Sequence, residues 1–218
     1  MDLSALHHIA IEGPIGVGKT TLARRLAVHL KGRLLLEAPE ANPYLERFYE
    51  DAGAFALRTQ LAFLRHRADQ VRVLRPSGGV GPPWVSDFLF DKDALFAALT
   101  LGPEDHAVYR AHHDPIAQQL ARELAPPDLV IWLRAPVPLL KARIRRRGIP
   151  MEQGIADDYL ARLSQAYARH FERFDSAPVL ALNPAGFEPA VHEEDFARLL
   201  QALGQVPATH RGLIEIVV

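Results

Sequence analysis

The feature that most constrains this chain is the stretch "IAIEGPIGVGKTT", residues 9–21. A short apolar run ends at Glu12, and residues 13–20, "GPIGVGKT", then satisfy G-x-x-x-x-G-K-[ST]. A helix-like run follows at once, with Leu22, Leu26 and Leu30 repeating at four. Strand before and helix after is the context this loop requires. Gly13, Gly16 and Gly18 allow the tight turn through Pro14, Ile15 and Val17, so that amides point inward and form an anion nest at a helix N-terminus. Lys19 is placed to reach β- and γ-phosphates, and the Thr20 hydroxyl to ligate Mg²⁺, with Thr21 beside it. The loop predicts a bound nucleoside triphosphate. By itself it does not separate ATPase, GTPase and kinase.

Further strand-like runs alternate with helical ones. "RLLLE", "WVSDFLF", "PPDLVIWLRA" and "APVLALN" supply strands two to five. "NPYLERFYED" opens a helix with Asn42 as N-cap and Pro43 at its first position. Residues 54–74 carry the longest helical pattern, with Leu57, Leu61, Leu64, Ala68 and Val71 on one seam. "PVPLLKARIRRRG" reads as a helix with Pro138 near its start and Gly148 as its stop. Strands separated by helices pair in parallel through right-handed crossovers. The expected fold is α/β, a three-layer α/β/α sandwich on a five-stranded parallel sheet. Ligands then gather at the carboxyl ends of the strands, near Glu12, Glu37 and Asp87.

The 218 residues fit one domain spanning 1–218, and no composition shift marks a second. A formal net charge of −1 argues against a general nucleic-acid binder. The absence of cysteine excludes disulfides and thiolate metal sites. No apolar run has the length of a membrane span, and "MDLSALHHIAIEG" is unlike a signal peptide, so a cytoplasmic protein is expected. Adjacent histidines at 7–8 and 112–113 do not share a face and complete no metal site. Trp84 and Trp132 lie in strand-like runs and are expected in the core.

No N-K-x-D guanine signature is present, and "WVSDFLF" is a poor version of the strand of motor ATPases. A small-molecule kinase is favoured. The segments "IAIEGPIGVGKTTLA", "EAPEANPYLERFYED", "TQLAFLRHRADQ", "WVSDFLFDKD" and "RIRRRGIPMEQGI" resemble the deoxynucleoside kinase family of the P-loop kinase fold, and most nearly its bacterial deoxyadenosine/deoxyguanosine kinase branch. The resemblance reaches from Ile9 to about Asn183.

It implies an activity and a set of roles. ATP, with Mg²⁺, would phosphorylate the 5′-hydroxyl of a deoxynucleoside, purines preferred, in nucleoside salvage. Glu37 would be the general base, as a carboxylate in line with the γ-phosphate suits an alcohol nucleophile; Glu40 is nearby but keeps poorer spacing to "NPYL". Tyr49 and Glu152 would hold the sugar 3′-hydroxyl. Gln60 and Arg67 are seven apart on one helix face with Phe63 between them, an amide, a cation and a ring suited to a base edge. Asp93 would pair with Arg67 or cap the next helix. Asp87 would orient Mg²⁺ or its water shell, with Thr20 the direct ligand. Arg143 and Arg147, four apart, would close over the phosphates in a helical lid at about 143–154, while Arg145 and Arg146 point elsewhere.

One departure stands out. Where the family has an arginine and a serine after the acidic residue, this chain has Phe88 and Leu89. The resemblance also implies a homodimer. Two alternatives remain open at this level: a nucleoside monophosphate kinase of the same fold, and a catalytically weak nucleotide-binding regulator. "RGLIEIVV" at the C-terminus is left open as an added strand and has no functional reading.

Overall fold

"LVIWL" and "PVLAL" are buried at every position, as strands covered on two faces must be. In the computed structural model, residues 6–75, 81–183, 186–207 and 209–215 are described. The strands are β1 (His8–Glu12), β2 (Arg33–Leu35), β3 (Trp84–Ser86), β4 (Leu129–Leu133), β5 (Pro178–Leu182) and β6 (Gly212–Glu215). The helices are α1 (Lys19–His29), α2 (Leu45–Glu50), α3 (Ala52–Val71), α4 (Lys92–Thr100), α5 (Pro103–Glu123), α6 (Val137–Arg147), α7 (Asp157–Phe171) and α8 (Glu193–Gln205). The sheet order is β2-β3-β1-β4-β5-β6, and every pairing is parallel.

Alternation along the strands builds the layers. Leu129, Ile131 and Leu133 of β4 pack with α1, α6 and α8 through Leu22, Ile144 and Leu199. Val130 and Trp132, pointing the other way, pack with Leu163, Tyr167 and Phe171 of α7. Helices on both faces satisfy the three-layer expectation.

The sheet has six strands rather than five. The sixth comes from "RGLIEIVV", of which residues 216–218 lie outside the described residues. β6 is short, half-buried and at an edge, so its apolar run carries little of the signal of a central strand. It pairs with β5 from Pro178↔Gly212 to Ala181↔Glu215, and both Glu215 oxygens accept from Arg134 at 2.7 Å.

Other boundaries moved as well. α2 begins at Leu45, so Asn42 is not its N-cap. Asn42 instead accepts from the Tyr44 amide at 3.0 Å and donates to the Thr59 carbonyl at 3.0 Å, tying the approach to α2 onto α3. α3 starts at Ala52, because the Asp51 side chain accepts from the Ala54 amide, and it passes into a 3₁₀ turn at Arg72–Leu74. α5, with 21 residues, is longer than α3 with 20. The break expected at "RPSGGVGPP" lies partly outside the described residues. β2 and β3 end at Leu35 and Ser86, so Glu37 and Asp87 stand in the loops just beyond the strands. α6 keeps its expected bounds, with Pro138 in its first turn and Gly148 at φ 71° as its cap.

Candidate active site

The loop between β1 and α1 needs glycine where it has it. Gly13 has φ 143°, and a Cβ there would lie 2.3 Å from the Leu133 carbonyl oxygen. At Gly16, φ 82°, a Cβ would meet Ile144 of α6 at 2.8 Å. α1 starts at Lys19 with no side-chain cap, which leaves its first-turn amides for an anion. The Lys19 ammonium donates to the Gly13 and Pro14 carbonyls at 2.8 and 3.1 Å. Burial lowers its pKa to about 8, and the charge of Lys92 adds to this against the pull of Glu12, Glu37 and Asp87.

A cavity of about 450 Å³ opens over this loop, walled by Arg143, Arg146 and Arg147 of α6 and by residues 188–191. Arg146 was expected to point elsewhere and does not. Its position on α6, three residues beyond Arg143, keeps it on the cavity side. Arg143 donates to the Val17 carbonyl at 2.9 Å and to Glu188 at 2.5 Å. Arg147 pairs with Glu152. Burial, then Tyr159 and Glu152, push the pKa of the Tyr49 hydroxyl up against the opposing charge of Arg147.

At the ends of β2 and β3 lies a dense charged cluster. Glu37 Oε1 accepts from Arg67 Nε at 2.9 Å and Nη2 at 2.6 Å, while Oε2 accepts from Lys92 Nζ at 2.8 Å. Arg67 Nη1 reaches Asp93 Oδ1, and Asp93 Oδ2 accepts from the Tyr109 hydroxyl at 2.6 Å. All four charged groups are buried, Asp93 completely. Two carboxylates facing two cations balance, which is what tolerates charge at this depth. Burial alone would raise the Glu37 pKa; Lys92 and then Arg67 overcome it and hold the carboxyl well below the usual range.

The backbone around Glu37 is pinned from three sides. Its amide donates to Asp87 Oδ1 at 2.9 Å, its carbonyl meets His66 Nε2 at 3.1 Å, and the Leu36 carbonyl accepts from Gln70 at 2.6 Å. Asp87 Oδ2 also accepts from the Thr20 hydroxyl at 2.5 Å, so one carboxylate joins the phosphate loop to the Glu37 segment. Ala38, the next residue, sits in the left-handed region at φ 50°, a costly conformation for a residue with a Cβ.

Gln60 and Phe63 share the inner face of α3 with Arg67. The Arg67 guanidinium lies 4.4 Å from the Phe63 ring centre. Gln60 Nε2 donates to Thr100 Oγ1 at 3.1 Å, and its Oε1 is buried with no hydrogen-bond partner among the described residues. Phe88 is buried between Leu35, Ala68 and Val71, on the side of α3 and α5. It is a core residue there.

Four side chains of this region escaped the sequence reading. Lys92 sat in "DKD", where only Asp93 drew notice. Tyr109 and Thr100 lie far along the chain with no motif around them. Glu12, read only as a strand end, accepts from the Gly13 amide, the Leu89 amide and the Tyr167 hydroxyl at 2.8–2.9 Å, and so fixes the first glycine of the loop.

A parallel sheet with a glycine loop after its central strand, a basic helix over that loop and a buried carboxylate one strand away defines a phosphoryl-transfer kinase. The family model "deoxynucleoside kinase" matches residues 9–205, and the chain belongs to that family. It is similar to the deoxyguanosine kinase of Bacillus subtilis, 32% identical over 88% of this chain and 93% of that protein. It is 26% identical to the deoxyadenosine/deoxycytidine kinase of the same organism, over 91% and 92%. Among solved structures, deoxyadenosine kinase from M. mycoides with bound dATP shares the fold at a TM-score of 0.74, with 21% identity over 91% of this chain and all of that one. The chain is a deoxynucleoside kinase. No helix among the described residues is long and apolar enough to cross a membrane.

Proposed function

We propose that the chain transfers the γ-phosphoryl group of ATP to the 5′-hydroxyl of a purine deoxynucleoside, with Glu37 as the general base. The observation that carries this reading is the placement of Glu37: a buried carboxylate held ionised by Arg67 and Lys92 and tied through Asp87 to the phosphate loop. An ionised carboxylate accepts the alcohol proton as the oxygen attacks phosphorus. Lys19 and the loop amides hold the phosphates, and Arg143, Arg146 and Arg147 of the lid at 143–154 face the same cavity.

The base edge would meet Gln60, whose free Oε1 asks for a donor such as the N6 amino group of adenine or N1–H of guanine. The B. subtilis deoxyguanosine kinase likeness supports a purine. Phe63 would stack on the base with the ring face not taken by Arg67. Tyr49 and Glu152 would share the 3′-hydroxyl, and closure of α6 would bring Glu152 into place through its pairing with Arg147.

Thr20 and Asp87 offer two adjacent hard oxygens, and no group of three His, Cys, Asp or Glu able to hold a metal occurs among the described residues. That donor set suits Mg²⁺, which keeps phosphate and water ligands beside one or two protein oxygens. Bound there, Mg²⁺ would neutralise phosphate charge. A homodimer is supported by the apolar groove between α4, α5 and α7, whose walls include Leu95, Leu99, Leu120 and Phe174; sedimentation at micromolar concentration tests it.

Glu37→Gln tests the central assignment. Turnover in ADP release should fall about 100-fold or more, with deoxynucleoside affinity little changed. Near-normal turnover would remove Glu37 as the base.

A further inference from the structure

A charged lysine inside a protein needs a reason. Lys92 is 5% exposed, in the first turn of α4, and its ammonium reaches one strand over to Glu37 Oε2 at 2.8 Å. Its charge is also the foremost electrostatic influence on Lys19. The other groups facing Glu37 are Arg67 of α3, Lys19 of the loop and Asp87 beyond β3, the last through the Glu37 amide.

Counting lone pairs makes the arrangement specific. A carboxylate offers about four acceptor directions, two on each oxygen. Arg67 fills both directions of Oε1 with Nε and Nη2. Lys92 fills one direction of Oε2, leaving one open on that oxygen. Phe88, at the neighbouring turn, is buried in the core cluster of α3 and α5 and supplies no charge here.

We propose that Lys92 is a positioning residue for the phosphoryl transfer: it orients Glu37 so that Oε2 receives the 5′-hydroxyl proton. The inference rests on the reading of Glu37 as base. The hydroxyl proton passes to Oε2, the hydroxyl oxygen forms the new bond to the γ-phosphorus, and the bond to the β–γ bridging oxygen breaks to release ADP. Without Lys92, the carboxylate pivots about its two bonds to Arg67 and the open lone pair no longer faces the nucleophile.

The test is steady-state kinetics of Lys92→Met, Lys92→Arg, Glu37→Gln and the double variant Lys92→Met with Glu37→Gln. Lys92→Met should lower kcat about tenfold or more while the deoxynucleoside KM moves less than about threefold, and Lys92→Arg should recover part of kcat. On the Glu37→Gln background, Lys92→Met should cost little more, since both act through one group. If Glu37→Gln is slow but Lys92→Met turns over normally, or if the two losses multiply, the role of Lys92 is overturned and the base stands. If Glu37→Gln itself is near normal, the base fails and Lys92 with it. Should Lys92→Met not fold, Lys92→Leu, which likewise has no N–H for Oε2, carries the same expectations.

Discussion

Mild acid should destabilise this protein through one histidine remote from the phosphates. His8 opens the central strand and is 6% exposed. Its Nε2 lies 2.8 Å from Ser86 Oγ, and Ser86 donates onward to the Phe88 carbonyl at 2.9 Å, so the neutral ring donates to a hydroxyl whose own proton is spent. Burial lowers the ring pKa from 6.5 to about 4, with His7 adding to this and Asp128 opposing it. In the unfolded chain the ring takes up its proton near the ordinary value. Between the two values the unfolded state therefore binds more protons, and stability falls as pH falls. Each pH unit in that window costs ~1.4 kcal/mol, so lowering pH from 7 to 5 removes about 2 kcal/mol. For a chain of this size that is a fall in Tm of roughly 4–8 °C. The assay is thermal or urea unfolding at the two pH values for the natural chain and for His8→Gln, which keeps an N–H for Ser86 but takes up no proton. The variant should lose about 2 kcal/mol less over the interval. All remaining histidines are common to both, so an equal loss in the two chains would refute the reasoning.

Other outcomes follow from the charged cluster and the loop. Tyr109→Phe leaves a buried Asp93 oxygen unpaired and should destabilise by about 1.5–3 kcal/mol, read by urea unfolding. Gly13→Ala forces a Cβ against the Leu133 carbonyl at positive φ; the backbone strain alone is about 1–3 kcal/mol, and ATP affinity by calorimetry should fall more than tenfold. Thr100→Val frees the Gln60 amide; losing one hydrogen bond of about 1 kcal/mol should raise the purine deoxynucleoside KM several-fold with kcat kept.

Much of the site was readable because it is local. "GPIGVGKT" carries its own geometry: glycines at fixed offsets, a lysine, a hydroxyl, then a helix. Gln60, Phe63 and Arg67 fall on one face because a helix repeats every 3.6 residues. Arg143 and Arg147 share a face for the same reason, and that regularity should also have drawn in Arg146. What was not readable depended on partners distant in the chain. Lys92 in "DKD" looks like a solvated helix start until β2 brings Glu37 within 2.8 Å of it. Tyr109 is one aromatic in a polar helix until α5 packs on α3 and α4 and sets its hydroxyl on Asp93. β6 stayed an open reading outside the expected five strands, because three half-buried edge residues and an exposed Glu215 lack the uninterrupted apolar run that betrays a central strand.

The sequence by itself determined the parallel α/β architecture, the phosphate loop and the family, since each rests on spacing within a single strand, turn or helix. Only the tertiary structure decided how Glu37 is charged, which oxygen of it stays open and that Phe88 packs into the core against α3. Those depend on burial and on the distances between groups brought together from α3, α4 and the ends of β2 and β3. Electrostatic energy is governed by separation and by the exclusion of water, and neither is written in the order of residues.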